Sequence, residues 1–329
     1  VLAITDETVA GLYGQRVADA LTTVNSAGVC SFDIREQTKT RETWAAITDA
    51  LFARRLGRDT TLIALGGGVV GDVVGFVAAT YMRGVPFVQV PTTLLAMVDA
   101  SVGGKTGVDT AHGKNLVGAF HQPSAVVIDP SVLETLPGPQ IRGGFAEIIK
   151  HGVIADAGYL SSVLAFLERS TSGRRGAAMS ADLGPIIERS VQIKAGVVAR
   201  DEREAGLRKV LNFGHTIAHA IEAATDYRVL HGDAVAIGMI VEARIAERIG
   251  VAERGIADEI ARVCAAAALP VAVPVIDPGA LIQFTRVDKK ARGGAVEYAL
   301  PRRIGEMAGG DSGWAIPVDD AVVREVLGS

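Results

Sequence analysis

The first part of the chain is built from short apolar blocks set between longer periodic stretches. VLAIT (1–5), VCSFDI (29–34), TTLIALGGG (60–68), FVQVP (87–91) and AVVIDP (125–130) are compact runs closed by Gly, Asp or Pro. Runs of this kind, rich in Val and Ile, are the mark of strands buried on both faces. Between them, apolar positions at helical spacing predict helices over 40–54 and 72–82. Strands alternating with helices predict a parallel sheet covered by helices. From about Ser131 the pattern changes to long Ala-rich amphipathic stretches over 143–154, 183–203, 207–225, 233–249 and 254–268. Only VEYALPRRIG (296–305) breaks that pattern, as a hairpin-like piece, and 170–176 reads as an exposed loop. The expectation is therefore an α/β domain over 1–136 and a mainly helical domain over 137–329, with the active site in the cleft between them. No internal repeat is visible.

Composition narrows the possible partners. Net charge is −4 and no long basic run occurs, so neither nucleic acid nor an anionic membrane is an expected partner. The only cysteines, Cys30 and Cys264, lie far apart, which argues against a disulfide framework and fits a reducing cytoplasm. The apolar runs are interrupted by Gly, Asp or Arg, so none reads as a membrane span. No signal-peptide pattern opens the chain, and its start at Val1 inside a strand-like run implies preceding residues.

Candidate chemistry begins with LRKVLNFGHTIAHAIE. Arg208, Asn212, His215 and His219 are spaced by four, three and four residues, which on a continuous α-helix puts all four on one side. Such a row suits neither a core nor an ordinary solvated face, so it is read as lining a wet binding cavity. A lone His in an apolar helix is more often a satisfied core residue. Here two lie a turn apart, His231 follows in LHGD, and Glu147 sits in GFAEIIKHG. Neutral imidazoles with a carboxylate and an open position form a catalytic metal set, so three of Glu147, His215, His219 and His231 are expected to bind a metal. HExxH is absent, which excludes a zincin-type peptidase.

Gly66–Asp72 (GGGVVGD) follows a strand and opens a helix. Glycines there let backbone N–H groups approach a phosphate, although a tight packing turn would read the same way. The turn follows the third strand and lacks the acidic ribose partner about 20 residues on, so the expected nucleotide site has a non-standard layout. Next, Asp99, Lys105, Thr106, Lys114 and Asn115 fall in one loop-like, glycine-rich stretch, suited to a phosphate cradle. Thr92 and Thr93 follow Pro91 at a strand end and add hydroxyls. Glu147 and Lys150, three apart, share an apolar-flanked helix face; a surface ion pair is the plainer alternative.

Taken together, GGGVVGDVVGF, RGVPFVQVPTTLLAMVDASVGGKTGVD, GKNLVGAFHQP, FAEIIKHG, QIKAGVV, LRKVLNFGHTIAHAIE, LHGDAV and VDKK resemble the 3-dehydroquinate synthases of the sugar phosphate cyclase family. The likeness runs from about Val1 to Met307 and its combination of motifs is highly specific. The resemblance implies an NAD-binding α/β domain followed by a helical metal- and substrate-binding domain. It implies one divalent metal, zinc or cobalt, on Glu147, His215 and His231, with His219 facing substrate. It implies NAD along Asp6, Glu36, Lys39, Gly67, Gly68, Asp72, Thr92, Thr93, Asp99, Lys105, Lys114 and Thr135. Catalytic roles fall to Lys105, Lys150, Lys194, Arg208, Asn212 and His219. Asp99, Asn115 and the VDKK lysines Lys289 and Lys290 would complete the substrate site, with Arg83 supplied by the other subunit of a homodimer.

The implied reaction converts 3-deoxy-arabino-heptulosonate 7-phosphate to 3-dehydroquinate and phosphate, in the shikimate pathway towards aromatic amino acids. A substrate with both carboxylate and phosphate accounts for many cationic residues in a chain of negative net charge. Lys194 with Arg208, the implied carboxylate clamp, argues against cyclase substrates without that group; an aminated analogue stays open. A metal-dependent polyol dehydrogenase has no need of the Lys105, Lys114 and Asn115 cradle. The chain departs from the family pattern in three places: no strand pair precedes VLAITDE, Arg35 stands where Gly is usual, and Ile217-Ala218 replaces Phe-Gly.

Overall fold

A computed structural model describes residues 1–170, 177–288 and 296–328. The chain divides into two compact units, Val1–Leu136 and Pro137–Ser329.

In the first unit, β1 (Leu2–Asp6) leads into short helices α1 (Glu7–Val9) and α2 (Gln15–Leu21), then β2 (Val29–Phe32), α3 (Arg41–Ala53), β3 (Leu62–Gly66), α4 (Gly68–Thr80), β4 (Phe87–Pro91) and β7 (Ala125–Val126). The five strands form one sheet in the order β2-β1-β3-β4-β7, and every pairing is parallel. All five expected strand runs are in it. Leu2, Ile4, Leu62, Ala64 and Phe87 of the sheet pack with Val70, Val73, Val74 and Val77 of α4 and with Ile47 and Leu51 of α3. Each such side chain removed from water contributes about 1.5–3 kcal/mol.

The stretch expected as a loop around Lys105 and Lys114 is instead an antiparallel pair, β5 (Lys105–Thr110) and β6 (Gly113–Phe120). Its sequence hides this because β6 is largely exposed and glycine-rich, so no apolar alternation marks it.

The second unit is mainly helical: α5 (Gly138–Ala155), α6 (Ala157–Ser170), α7 (Ala177–Arg200), α8 (His215–Ala224), α9 (His231–Arg248), α10 (Ile256–Ala266), α11 (Pro278–Asp288) and α12 (Asp320–Gly328). α9 is its spine, packed against α5, α8, α10 and α12 and apolar on most sides, as a fully enclosed helix must be. Of the loop expected over 170–176, Ser170 ends α6, and 171–176 lie outside the described residues. VEYALPRRIG does not fold back on itself. Its strands β8 (Val296–Tyr298) and β9 (Pro301–Arg303) pair instead with β11 (Ile316–Val318) and β10 (Glu306–Met307), respectively.

The continuous helix expected over 207–225 is also corrected. Leu207–Asn212 is a 3-10 turn, and α8 starts only at His215 after Gly214, whose φ is 81°. Left-handed backbone ends the first segment. The break is imposed by packing: a β-carbon on Gly238 of α9 would lie 2.0 Å from the Gly214 carbonyl oxygen. Arg208 and Asn212 therefore do not share an α-helical face with His215 and His219.

Asp156 joins α5, α6 and α7. Its Oδ1 accepts from the Tyr159 N–H at 2.9 Å, capping α6, and its Oδ2 accepts from Arg189 Nε and Nη2 at 2.9 and 2.6 Å. The Tyr159 backbone bond first, then Arg189, hold its carboxyl below the ordinary 3.8. Its stabilising effect is thus complete above the unfolded value and fades as pH falls through the lowered folded one. Asp156→Ala is expected to cost about 1–2 kcal/mol in thermal unfolding at pH 7, with the gap to the parent narrowing in acid. A gap that holds its size below that range would assign the loss to packing alone.

Candidate active site

Each unit carries its own polar cluster. In the first, Asp6 closes β1, and Gly67, Gly68, Thr92 and Thr93 immediately follow β3 and β4, the three strands being adjacent. The chain steps from β1 outward to β2 and then returns to the opposite side of β1 as β3. Such a reversal leaves a crevice at the carboxyl edge, where open α/β sheets bind ligands. Thus the glycine turn after the third strand still lies at the centre of the sheet. Asp6 Oδ1 caps α1 through the Val9 N–H at 2.9 Å. Thr93 Oγ1 accepts from the Ala96 N–H at 3.2 Å, and Asp99 follows in a π-type turn, Ala96–Ala100.

Beside this edge, Lys39 is 4% exposed and donates to Asp72 Oδ2 at 2.6 Å and Asn115 Oδ1 at 2.5 Å. Lys114 pairs with Glu36 at 2.6 Å. The β5–β6 pair therefore brings Lys114 and Asn115 to Glu36, Lys39 and Asp72, although 76 residues separate Lys39 from Asn115. Asn115 takes left-handed backbone at φ 54° and its N–H meets Asp109 Oδ1 at 2.8 Å. Lys105 is exposed at the start of β5. Thr135 Oγ1 lies 2.6 Å from the Tyr13 hydroxyl. Arg83 is not brought to this cluster: it follows α4 at the end away from Gly67 and Gly68, about 20 Å along the helix.

In the second unit three ligand-type side chains converge. Glu147 Oε1 lies 3.5 Å from His215 Nε2 and 3.8 Å from His231 Nε2, and one donor atom from each residue falls within 4.8 Å of the others. The Lys150 ammonium touches Glu147 Oε2. Glu147 is fully buried, yet no well-directed hydrogen bond reaches either of its oxygens. A buried carboxylate facing two imidazole nitrogens is a donor set suited to a divalent metal such as zinc or cobalt.

The surroundings tune both imidazoles. Burial first, then the charges of Lys150, His231 and His219, hold His215 well below the ordinary imidazole range, so it is neutral. Its Nδ1 lies 3.2 Å from the Phe213 carbonyl, which as acceptor would leave the Nε2 lone pair facing Glu147. For His231 burial is the largest influence and lowers the pKa. The hydrogen bond to Glu222 and the charges of Glu222 and Glu147 outweigh it, leaving a net rise. Its Nδ1 is 3.4 Å from Glu222 Oε1, the kind of outer carboxylate contact that orients a histidine ring where one binds a metal. His219 is exposed, with its ring centre 5.6 Å from that of His215 and 6.4 Å from that of His231.

Lys194 on α7 and Arg208 are buried. The Arg208 guanidinium meets the Glu202 carbonyl, its N–H meets Asp201 Oδ2 at 2.9 Å, and Asn212 Nδ2 donates to Glu204 Oε1 at 2.6 Å. Lys289 and Lys290 lie outside the described residues. Sequence reasoning missed Glu222, Glu204 and Asp201. Glu222 alone carried a signal, standing seven residues after His215 and thus on the same side of α8.

Two family models account for most of the chain. Residues 29–143 match the one described as 3-dehydroquinate synthase N-terminal, and residues 144–291 the one described as 3-dehydroquinate synthase C-terminal. A 3-dehydroquinate synthase from Synechococcus sp. is 44% identical over 333 residues, covering 99% of this chain and 88% of that protein. Among solved structures, ValA, a 2-epi-5-epi-valiolone synthase from Streptomyces hygroscopicus subsp. jinggangensis with NAD+ and Zn2+ bound, is 31% identical with a TM-score of 0.86, covering 99% of this chain and 89% of that one. A 2-deoxy-scyllo-inosose synthase complexed with carbaglucose-6-phosphate, NAD+ and Co2+ gives a TM-score of 0.90 at 26% identity, with coverage of 99% and 89%. The chain is thus an enzyme of the α/β-plus-helical architecture that these cyclases share. It belongs to the 3-dehydroquinate synthase family.

Helices α5 and α9 meet at glycines beside the ligand-type residues, Gly143 four residues before Glu147 and Gly232 directly after His231. A β-carbon on Gly232 would lie 2.4 Å from the Gly143 backbone, whereas one on Gly143 would meet its nearest atom at 4.0 Å. Gly232→Ala is expected to cost about 1–3 kcal/mol and Gly143→Ala almost nothing, compared by thermal unfolding. A Gly232→Ala variant as stable as the parent would show that the two helices separate without cost.

Proposed function

We propose that this protein converts 3-deoxy-arabino-heptulosonate 7-phosphate to 3-dehydroquinate and phosphate, using NAD catalytically. The observation that carries this reading is the convergence of buried Glu147 with His215 and His231 beside Lys150, in a chain 44% identical to a 3-dehydroquinate synthase. Glu147, His215 and His231 would hold zinc or cobalt. The carboxyl edge of the sheet, with Asp6, Gly67, Gly68, Thr92 and Thr93, and the Glu36, Lys39, Asp72 and Lys114 group would hold NAD, with Asp99, Lys105 and Thr135. When bound, the metal supplies a Lewis acid at the substrate hydroxyl and NAD a hydride acceptor that is regenerated each turnover.

The chain's own residues do the rest. Lys194 and Arg208 bind the substrate carboxylate; burial strengthens their pull on it. Asn212, held by Glu204, and His219 orient the sugar hydroxyls. Lys105, Lys150 and Asn115 meet the phosphate end, with Asp99 accepting from a substrate hydroxyl. Oxidation of a hydroxyl makes the neighbouring C–H acidic, and phosphate leaves with the substrate's own phosphate oxygens taking the proton. The protein's contribution is orientation and charge stabilisation. The place of Arg83 at the far end of α4 favours a homodimer in which a second copy supplies that cation. No helix among the described residues is long and apolar enough to cross a membrane, and free Cys30 and Cys264 suit the cytoplasm.

Phosphate release from the heptulosonate phosphate, with catalytic NAD and Zn2+ or Co2+, tests the reading. Release without NADH build-up, lost on chelation, is expected. Steady NADH accumulation would make the protein a dehydrogenase, and absence of release would point to another sugar phosphate. Glu147→Ala and His231→Ala should each strip the metal and abolish turnover; either variant retaining both would leave the ligand set. Arg208→Ala should raise KM by about 10–100-fold, the loss of one charged hydrogen bond, and unchanged saturation would remove it from the clamp.

A further inference from the structure

Glu242 is a fully buried acid in the apolar middle of α9, eleven residues beyond His231 and outside every motif described above. Its Oε2 accepts from the Gly214 N–H at 2.7 Å and its Oε1 from the Ile217 N–H at 3.1 Å. These donors bracket His215. Gly214 is the N-cap of α8 and makes no side-chain cap of its own, because glycine has no oxygen to offer. The exposed N–H groups of a first helical turn need an acceptor, and negative charge is favoured at that end. Here the acceptor comes from the neighbouring helix.

The contact occurs where two backbones already touch, Gly214 against Gly238 one turn before Glu242. At the opposite end of the same helix pair, Glu222 of α8 reaches His231 of α9. The antiparallel α8–α9 pair is thus pinned twice, and each pin sits at one of the two histidines. We propose that Glu242 is a positioning residue for the metal site: by capping α8 from α9 it fixes the His215 ring relative to His231 and Glu147, without touching metal or substrate. Buried Tyr298 of β8 lies in the same environment; burial first, then the Glu242 charge, push its pKa up.

This inference rests on the metal reading above, and the test separates the two. Full-length apo-protein is titrated with Co2+, reading affinity and the visible absorption of the bound ion, alongside thermal unfolding. Glu242→Gln keeps the size but leaves an amide N–H2 facing a backbone N–H. It is expected to weaken Co2+ binding by about tenfold or more and to alter the absorption. Asp156→Ala, destabilised at the far end of α5, nine residues beyond Glu147, should bind Co2+ as the parent does. Should Glu242→Gln not fold, Glu242→Asp, one methylene shorter, takes its place with the same expected changes. A folded Glu242 variant with parental affinity and spectrum overturns the proposal and leaves Glu242 a helix cap only. A parent that binds no Co2+, or a His231→Ala variant that binds like the parent, overturns the metal reading itself.

Discussion

A carboxylate buried at Glu147 is the constraint around which the helical unit is arranged. Removing such a group from water costs several kcal/mol unless charges or donors compensate. Here the compensation is incomplete in hydrogen-bond terms: Lys150 sits against one oxygen, and two imidazoles face the other at 3.5 and 3.8 Å. His215 is kept neutral by its burial and by the cations nearby. The net result is a pocket of electron pairs with one adjacent ammonium. Such an arrangement is poor as a folding device and well matched to a divalent cation.

Holding the groups in that arrangement falls to backbone contacts. α5 and α9 approach at Gly143 and Gly232, and α8 and α9 at Gly214 and Gly238. Around these points stand carboxylates that each tie one element to another. Asp233 receives Arg142 through two hydrogen bonds of 3.1 and 3.0 Å, Glu222 meets His231, and Asp201 gathers the N–H groups of Ala205, Gly206 and Arg208. These three acids thus act as mortar, whereas Glu147 presents ligand-type atoms. Sequence alone does not sort them, because the difference lies in whether an N–H or guanidinium is waiting.

What the sequence revealed follows the same division. The five strands and helices α3 and α4 were legible because burial on both faces demands Val- and Ile-rich runs. The β5–β6 pair was not, since an exposed, glycine-rich ribbon carries no period. The α8 region misled for the opposite reason: LRKVLNFGHTIAHAIE keeps helical spacing through a point where the backbone turns left-handed. The cue was Gly214, and only the close approach of Gly238 explains why it must act as a break. Glu147, His215 and His231 were nominated among four possible ligands by residue chemistry; their convergence needed the fold. Glu242 offered nothing to a reader of spacing, because its partners are backbone groups.

The sheet of the first unit ends in very short strands. β7, at one edge, is two residues long, and β2, at the other, is four. Such stubs expose few unpaired amides and carbonyls, too few to nucleate an added strand. The parallel core is thereby shielded from growth into fibrils or shared sheets, a hazard for any chain so rich in Val and Ile. Contacts made at those two edges must then rely on side chains, where recognition can be selective.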